Sequence, residues 1–382
     1  MDKIYFDYNS STPIDKTVFK KMLPYLEANF ANPSAIYSVA QKAKNAIEDA
    51  RTLVSNLLGA KPKGIIFTSG GTEANNLAIK GFCFANRGKG NHIITSKIEH
   101  SSVLNVFSFL ETKGFNVTYL DVDRHGIVNV DQLEGCIGNE TILVSVMHVN
   151  NEIGTIQPVE KIKALCDKRK VCFHVDAVQS FGKVAFDASF ADLITVSSHK
   201  IYGPKGAGAL CVGNSINIEP LLHGGHQEEG LRPGTENVSS IVGFGEACRL
   251  RQQDMKTEEV KVRKLRDSLE SGILKGIKGI KVNGHPEKKL YNTLNICIDG
   301  VEAQNLVINL DMRGFCASSG SACQAKTPEV SYVLRAMGML QEDCAGALRL
   351  SLGKFNKESD IRALIRTLPE IVNNLRASGS HG

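Results

Sequence analysis

The sequence predicts an α/β fold in which a large unit with a mostly parallel, seven-stranded sheet is followed by a smaller α+β unit. Three observations predict it. Between residues 64 and 212, seven short β-rich runs alternate with stretches of helical character, the pattern of a parallel sheet covered by helices. Several of these runs are apolar throughout, as strands buried on both faces must be. A chain of 382 residues also exceeds one ordinary core, at about 150 residues per domain.

In chain order, the expected strands are 65–68, 92–95, 117–120, 142–147, 171–175, 193–196 and 208–212, with helices over 72–84, 101–112 and 159–168 between them. Between about 246 and 276 the chain turns helical and highly charged, from Arg249 to Arg266, which reads as a long solvated connector. Beyond it, 281–283, 293–298 and 348–351 are expected strands, and 302–312, 328–337 and 357–376 expected helices. The units are therefore placed at 15–255 and 256–382, with residues 1–14 packing with the second. The polar end 377–382 reads as a frayed tail.

Composition narrows the functional classes. Hydrophobic residues make up 42% and charged residues 22%, without low-complexity tracts, which excludes intrinsic disorder, collagen-like repeats and a pure coiled coil. The 45 basic residues are dispersed among 40 acidic ones, so no direct nucleic-acid partner is expected. Apolar runs such as 142–149 fall short of the roughly 20 residues that cross a bilayer, so no membrane span is expected. The opening Met1-Asp2-Lys3-Ile4-Tyr5-Phe6-Asp7 lacks a secretory pattern, and a cytoplasmic location is the expectation. The ten cysteines form no CxxC pair, and several, such as Cys172, Cys211 and Cys297, lie in apolar runs. They read as reduced buried thiols, with no metal site expected.

Three segments carry chemistry. In Thr68-Ser69-Gly70-Gly71-Thr72-Glu73-Ala74-Asn75-Asn76 a strand runs through Gly-Gly into a helix, which aims backbone N–H groups and the positive end of the helix dipole at one point. A phosphate suits that point, and so does a plain capped turn. In Ser197-Ser198-His199-Lys200-Ile201-Tyr202-Gly203-Pro204-Lys205-Gly206 a lysine follows an apolar strand. Partial desolvation there would free its amine for a Schiff base, although a surface lysine is the commoner case. In His174-Val175-Asp176-Ala177-Val178-Gln179 a carboxylate ends a strand, at the edge where open α/β sheets bind ligands, and a helix cap is its commoner role. Phosphate cradle, Schiff-base lysine and strand-end aspartate together meet the demands of pyridoxal 5'-phosphate, whose phosphate, aldehyde and ring nitrogen each need a partner.

Over nearly its whole length the sequence resembles the group I cysteine desulfurases, the NifS/IscS-type members of the class V aminotransferase-like, fold-type I pyridoxal phosphate enzymes. Beyond the three segments above, the resemblance rests on Tyr5-Phe6-Asp7-Tyr8-Asn9, Asn32-Pro33-Ser34, Ile98-Glu99-His100, Met147-His148-Val149-Asn150-Asn151-Glu152-Ile153-Gly154, Arg232-Pro233-Gly234-Thr235-Glu236-Asn237, Ser318-Ser319-Gly320-Ser321-Ala322-Cys323 and Arg349-Leu350-Ser351-Leu352-Gly353. It implies removal of sulfur from L-cysteine to give L-alanine and a persulfide on Cys323, for acceptors such as an iron–sulfur scaffold or in tRNA or cofactor thiolation. It also implies that Lys200 holds the cofactor as a Schiff base, Asp176 faces the ring nitrogen, Gln179 bonds the phenolic oxygen and His100 stacks on the ring. Gly71, Thr72, Ser197 and His199 are implied to bind the phosphate, with Thr235 reaching in from the partner of a homodimer. Asn151 is implied beside cofactor and substrate, and Arg349 on the substrate carboxylate.

The implied nucleophile suits its surroundings. The small residues before Cys323 give little to bury, so a mobile loop is expected there, able to carry a thiolate to a bound cysteine and away again. Cys316 and Cys344 read as structural. The family commonly shows Gly-Asn-Pro-Ser-Ser followed by His near the N-terminus, whereas this chain has Ala31-Asn32-Pro33-Ser34-Ala35-Ile36-Tyr37, so that histidine has no counterpart. The typical length of the segment from Cys323 to Ser331 favours cysteine over selenocysteine as substrate. The rival readings are another fold-type I lyase or aminotransferase, such as a selenocysteine lyase, and a noncatalytic scaffold for sulfur-transfer proteins.

Overall fold

The computed structural model describes residues 3–185, 187–319 and 331–379. Its twelve strands are β1 (Ile4–Tyr5), β2 (Ile65–Thr68), β3 (His92–Ser96), β4 (Asn116–Leu120), β5 (Thr141–Met147), β6 (Cys172–Asp176), β7 (Leu193–Ser197), β8 (Gly208–Val212), β9 (Ile280–Asn283), β10 (Thr293–Ile298), β11 (Phe315–Cys316) and β12 (Ala347–Ser351). Seven of them form one sheet in the order β2-β8-β7-β6-β5-β3-β4. The pairs β3/β4, β3/β5, β5/β6 and β6/β7 are parallel, and β8 runs antiparallel to both β7 and β2.

Alternation along these strands explains their unbroken apolar character. Ile65, Phe67, Val144, Val146, Phe173, Val175, Ile194 and Val196 point to one face, where they form a single core. That face is covered by the helices Ser38–Leu58 and Val159–Arg169 and by the start of the helix Val238–Gly276. Ile66, Ile93, Leu143, Cys172, Leu193 and Leu210 point to the other, under the helical run from Gly71 to Ala85 and the helix Ser101–Glu111. Period-two side-chain direction with both faces buried leaves no polar positions to betray the strands by contrast.

The smaller C-terminal unit holds an antiparallel sheet in the order β12-β10-β9. Leu294, Ile296, Ile298, Leu348 and Leu350 pack there against the helices Ala303–Met312 and Glu358–Gly379. The expected solvated connector is corrected by the structure. The helix Val238–Gly276 is continuous over 39 residues and buries Glu246, Arg251, Glu258 and Arg266 as well as Val262, Leu265, Leu269 and Ile273. Its charges mislead because the buried ones are paired: Arg251 forms an ion pair with Glu258, which also accepts from the Tyr202 hydroxyl at 2.7 Å.

The first residues join the last. Strand β1 pairs in parallel with β11, Asp7 bridges to Arg349 on β12, and the Asn9 amide donates to Ser351 Oγ at 2.9 Å. The chain then crosses the C-terminal ends of β6 and β7. Among the described residues no helix is long and apolar enough to cross a membrane, and no group of three His, Cys, Asp or Glu side chains could hold a metal ion.

Candidate active site

Strands β5, β6 and β7 end at Met147, Asp176 and Ser197, and these three C-terminal ends open into one cavity of about 310 Å³. Ten of the twelve residues expected to act line it: Gly71, Thr72, His100, Asn151, Asp176, Gln179, Ser197, His199, Lys200 and Arg349. Cys323 lies outside the described residues. Thr235 is exposed and lines a separate recess with Thr68, Ser69 and Arg232. Larger recesses of about 610 and 850 Å³ occur elsewhere on the chain, but neither includes any of the twelve.

The cradle at Gly70-Gly71 follows from backbone and contact geometry. Gly70 sits at φ +153°, ψ −178°, a region essentially closed to residues with a Cβ. A Cβ on Gly71 would stand 2.8 Å from Val178 Cγ2. The Glu73 carboxylate accepts from the Ser69 amide and from Arg232 Nε, each at 2.8 Å, which stiffens the turn and ties it to the loop carrying Thr235. Beside Gly71, where a Cβ would stand 3.8 Å from Ser197 Cβ, Ser197 Oγ is buried without a hydrogen-bond partner among the described residues. An anion seated there would satisfy it.

Asp176 is held by two donors. Asn75 Nδ2 reaches Oδ2 at 2.8 Å and the Val178 amide reaches Oδ1 at 3.0 Å. Asn75 Nδ2 also bonds Ser102 Oγ at 2.8 Å, and Ser102 Oγ lies 2.8 Å from His100 Nδ1. His100 caps the helix Ser101–Glu111 by accepting the Ser102 amide at Nδ1, 3.1 Å away. An acceptor at Nδ1 leaves the proton of the neutral ring at Nε2. Burial holds the His100 pKa below the usual histidine value, with Lys200 adding to this and Asp176 opposing it. His199 is driven further, to about 3, by burial and by Lys200, Lys183 and Lys205.

Lys200 extends from the short turn after β7. Its Nζ donates to the carbonyls of Asn9 at 2.7 Å and Ser10 at 2.6 Å. Asn9 O also accepts from Gln179 Nε2 at 2.8 Å. Arg349 donates from its NH2 nitrogen to Asp7 Oδ1 at 2.7 Å and from NH1 to Asn151 O at 3.0 Å. Asn151 Oδ1 is buried and has no partner among the described residues. Glu152 lies beside these groups with its pKa raised by burial, and accepts from Ser331 Oγ at 2.5 Å.

Both flanks of residues 320–330 are fixed at this cavity. Ser318 pairs through its backbone with Arg349, and Tyr332 lines the cavity while its hydroxyl bonds Glu99 O at 2.6 Å. Sequence reasoning missed Asn9, Ser10, Asn75, Ser102, Glu152 and Tyr332 as wall or support. Asn9, Asn75 and Glu152 lay inside quoted segments and Ser10 directly after one, which was the signal they carried. The others are polar residues whose role exists only through contacts made across the fold.

The comparisons with known proteins agree with this geometry. Residues 4–364 match the class-V aminotransferase family. The cysteine desulfurase IscS of Methanosarcina thermophila is 46% identical over 375 residues, covering 98% of this chain and 93% of the relative. A solved NifS-like protein superposes with a TM-score of 0.92 at 34% identity, over 97% of this chain and 100% of that one. A structure of SspA in complex with cysteine follows at 0.81 and 38% identity, over 92% and 99%. Such similarity along the full length, joined to a cavity with a lysine, an aspartate and an anion cradle at the sheet's C-terminal edge, means that the chain belongs to the class-V aminotransferase family, among its cysteine desulfurases.

Proposed function

We propose that the protein desulfurates L-cysteine to L-alanine with pyridoxal 5'-phosphate seated in the 310 Å³ cavity, and that Cys323 receives the sulfur as a persulfide. The observation that carries this reading is the convergence of Lys200, Asp176, His100, Arg349 and the Gly71–Ser197 cradle on that one space, with both flanks of the Cys323 segment fixed at it. The orphaned Ser197 hydroxyl beside Gly71 fits a phosphate. When bound, the cofactor supplies an electron sink for the α-carbon of an amino acid.

The chain's own groups then divide the work. Lys200 Nζ anchors the cofactor and afterwards carries a proton at that nitrogen. Asp176, buried and held in place by two donors, faces the ring nitrogen. Arg349 orients the substrate carboxylate, and His100 offers its Nε2–H on the cavity side. Gln179, Asn151, Thr72 and His199 complete the cofactor site, and Thr235 serves the cavity of a second subunit in a homodimer. We further take 15–255 and 256–382 as the two structural units, a cytoplasmic location, and an iron–sulfur scaffold as the sulfur acceptor.

Replacing Cys323 tests the reading. The cofactor-loaded Cys323→Ser protein is expected to keep its visible absorbance band and lose sulfide release from cysteine. Sulfide release at the unmodified rate would overturn the nucleophile assignment, and a chain that takes up no cofactor would overturn the reading as a whole.

A further inference from the structure

Lys183 follows Gln179 by four residues in the tight turn after β6, and it is fully buried behind the cavity wall rather than lining it. Nothing in the roles above uses it. A buried lysine is costly unless its donors are used, so its retention here calls for a physical account. Its Nζ donates to Gln179 Oε1 at 3.1 Å, and among the described residues no carboxylate lies within ion-pair distance of it. The charges that face it are mostly of its own sign, Lys200, Arg251 and Arg349, with Glu258 opposing them and the neutral His199 nearby. Burial, then Lys200, bring its pKa down to about 7.

The contact has a directional consequence. An amide side chain can present either its oxygen or its nitrogen to a neighbour, and the choice is set by what surrounds it. Below about pH 7 Lys183 is an ammonium, which offers donors only, so it turns the Gln179 oxygen toward itself. That leaves the Gln179 nitrogen for the Asn9 carbonyl, the same oxygen that accepts from Lys200 Nζ. Lys183, Gln179, the Asn9 carbonyl and Lys200 thus form one chain of hydrogen bonds running from the core to the reactive amine.

We propose that Lys183 is a positioning residue that locks the Gln179 amide as a donor toward the cavity and thereby sets the proton affinity of the cofactor once it is joined to Lys200. The inference rests on the reading under Proposed function. Without Lys183 the amide is free to turn its oxygen inward, and an anionic oxygen in the cavity loses a donor. Loss of a hydrogen bond to the charged form, and loss of a nearby positive charge, both raise the pH at which a proton is held.

The test is a pH titration of the visible band of the pyridoxal phosphate-loaded protein without substrate. In Lys183→Met the midpoint should rise by about half a pH unit or more, the size of a single buried hydrogen-bond contribution. Lys183→Arg, which keeps a charged donor, should restore the original midpoint. In a Gln179→Met background, adding Lys183→Met should move it much less, since coupled residues are not additive. Should Lys183→Met not fold, Lys183→Gln takes its place in the same cycle. A midpoint that stays put without Lys183, or moves as far without Gln179 as with it, overturns the inference. A wild-type protein without any band overturns the cofactor reading instead, so the two failures are distinguishable.

Discussion

The guanidinium of Arg349 donates to Asp7 Oδ1 and Asn151 O, so its orientation is fixed before any ligand arrives, and under the proposed function this fixed fork meets the substrate carboxylate. Lysine cannot reproduce that fork. Arg349→Lys is therefore expected to raise KM for cysteine about 10- to 100-fold, or about 1.4 to 2.7 kcal/mol, with a smaller change in kcat, read from steady-state kinetics. The residues proposed to act on substrate and cofactor were legible because their types are chemically expressive and each stood at a strand end or in a motif, as Lys200, Asp176 and His100 do. Asn75, Ser102 and Lys183 were not legible. Each contributes by holding another side chain, and such a role depends on distances that no local spacing records.

Within the helix Val238–Gly276, the Arg251–Glu258 pair links elements that the sheets alone leave separate. Arg251 Nε donates to Gly182 O at 2.7 Å, and Glu258 accepts from Tyr202, whose hydroxyl in turn accepts the Lys354 amide at 2.9 Å. Glu258→Gln leaves a buried guanidinium without its counter-ion and should cost about 3–5 kcal/mol in denaturant unfolding. Arg251→Met together with Glu258→Met should recover most of that loss, because no lone charge then stays buried. This helix also marks where reading by element failed. A run rich in Arg, Lys and Glu signals solvent only if its charges are single; Arg251 and Glu258 pair seven residues apart within the helix, and their further hydrogen bonds to Gly182 O and Tyr202, 69 and 56 residues away, are invisible in a local window. The strands of the large sheet had no such difficulty, since their apolar runs report burial on both faces directly.

Across the whole molecule, stability should depend on pH through histidines held neutral. His174 is fully buried between Ser145 Oγ and Thr195 Oγ1, and burial lowers its pKa to about 3. The unfolded chain binds a proton there below its ordinary 6.5 while the folded chain does not. Stability is thus lost as pH falls from about 6.5 toward about 3, by up to about 1.4 kcal/mol per pH unit. His174→Gln should flatten the slope by that amount, measured as the difference between the two proteins so that the buried carboxyls Glu99 and Glu152 cancel. The overall architecture was legible from the alternation of runs. The packing of residues 1–14 with the second unit was among the expectations, but the strand pairing that achieves it was hidden, because β1 and β11 are two-residue strands with no pattern of their own. That pairing has a consequence for biosynthesis. Asn9 and Ser10, whose carbonyls accept from Lys200 Nζ, leave the ribosome more than three hundred residues before the β11 and β12 segments that fix them in place. A nascent chain, however well its large sheet has formed, therefore has no finished cavity wall until translation is nearly over.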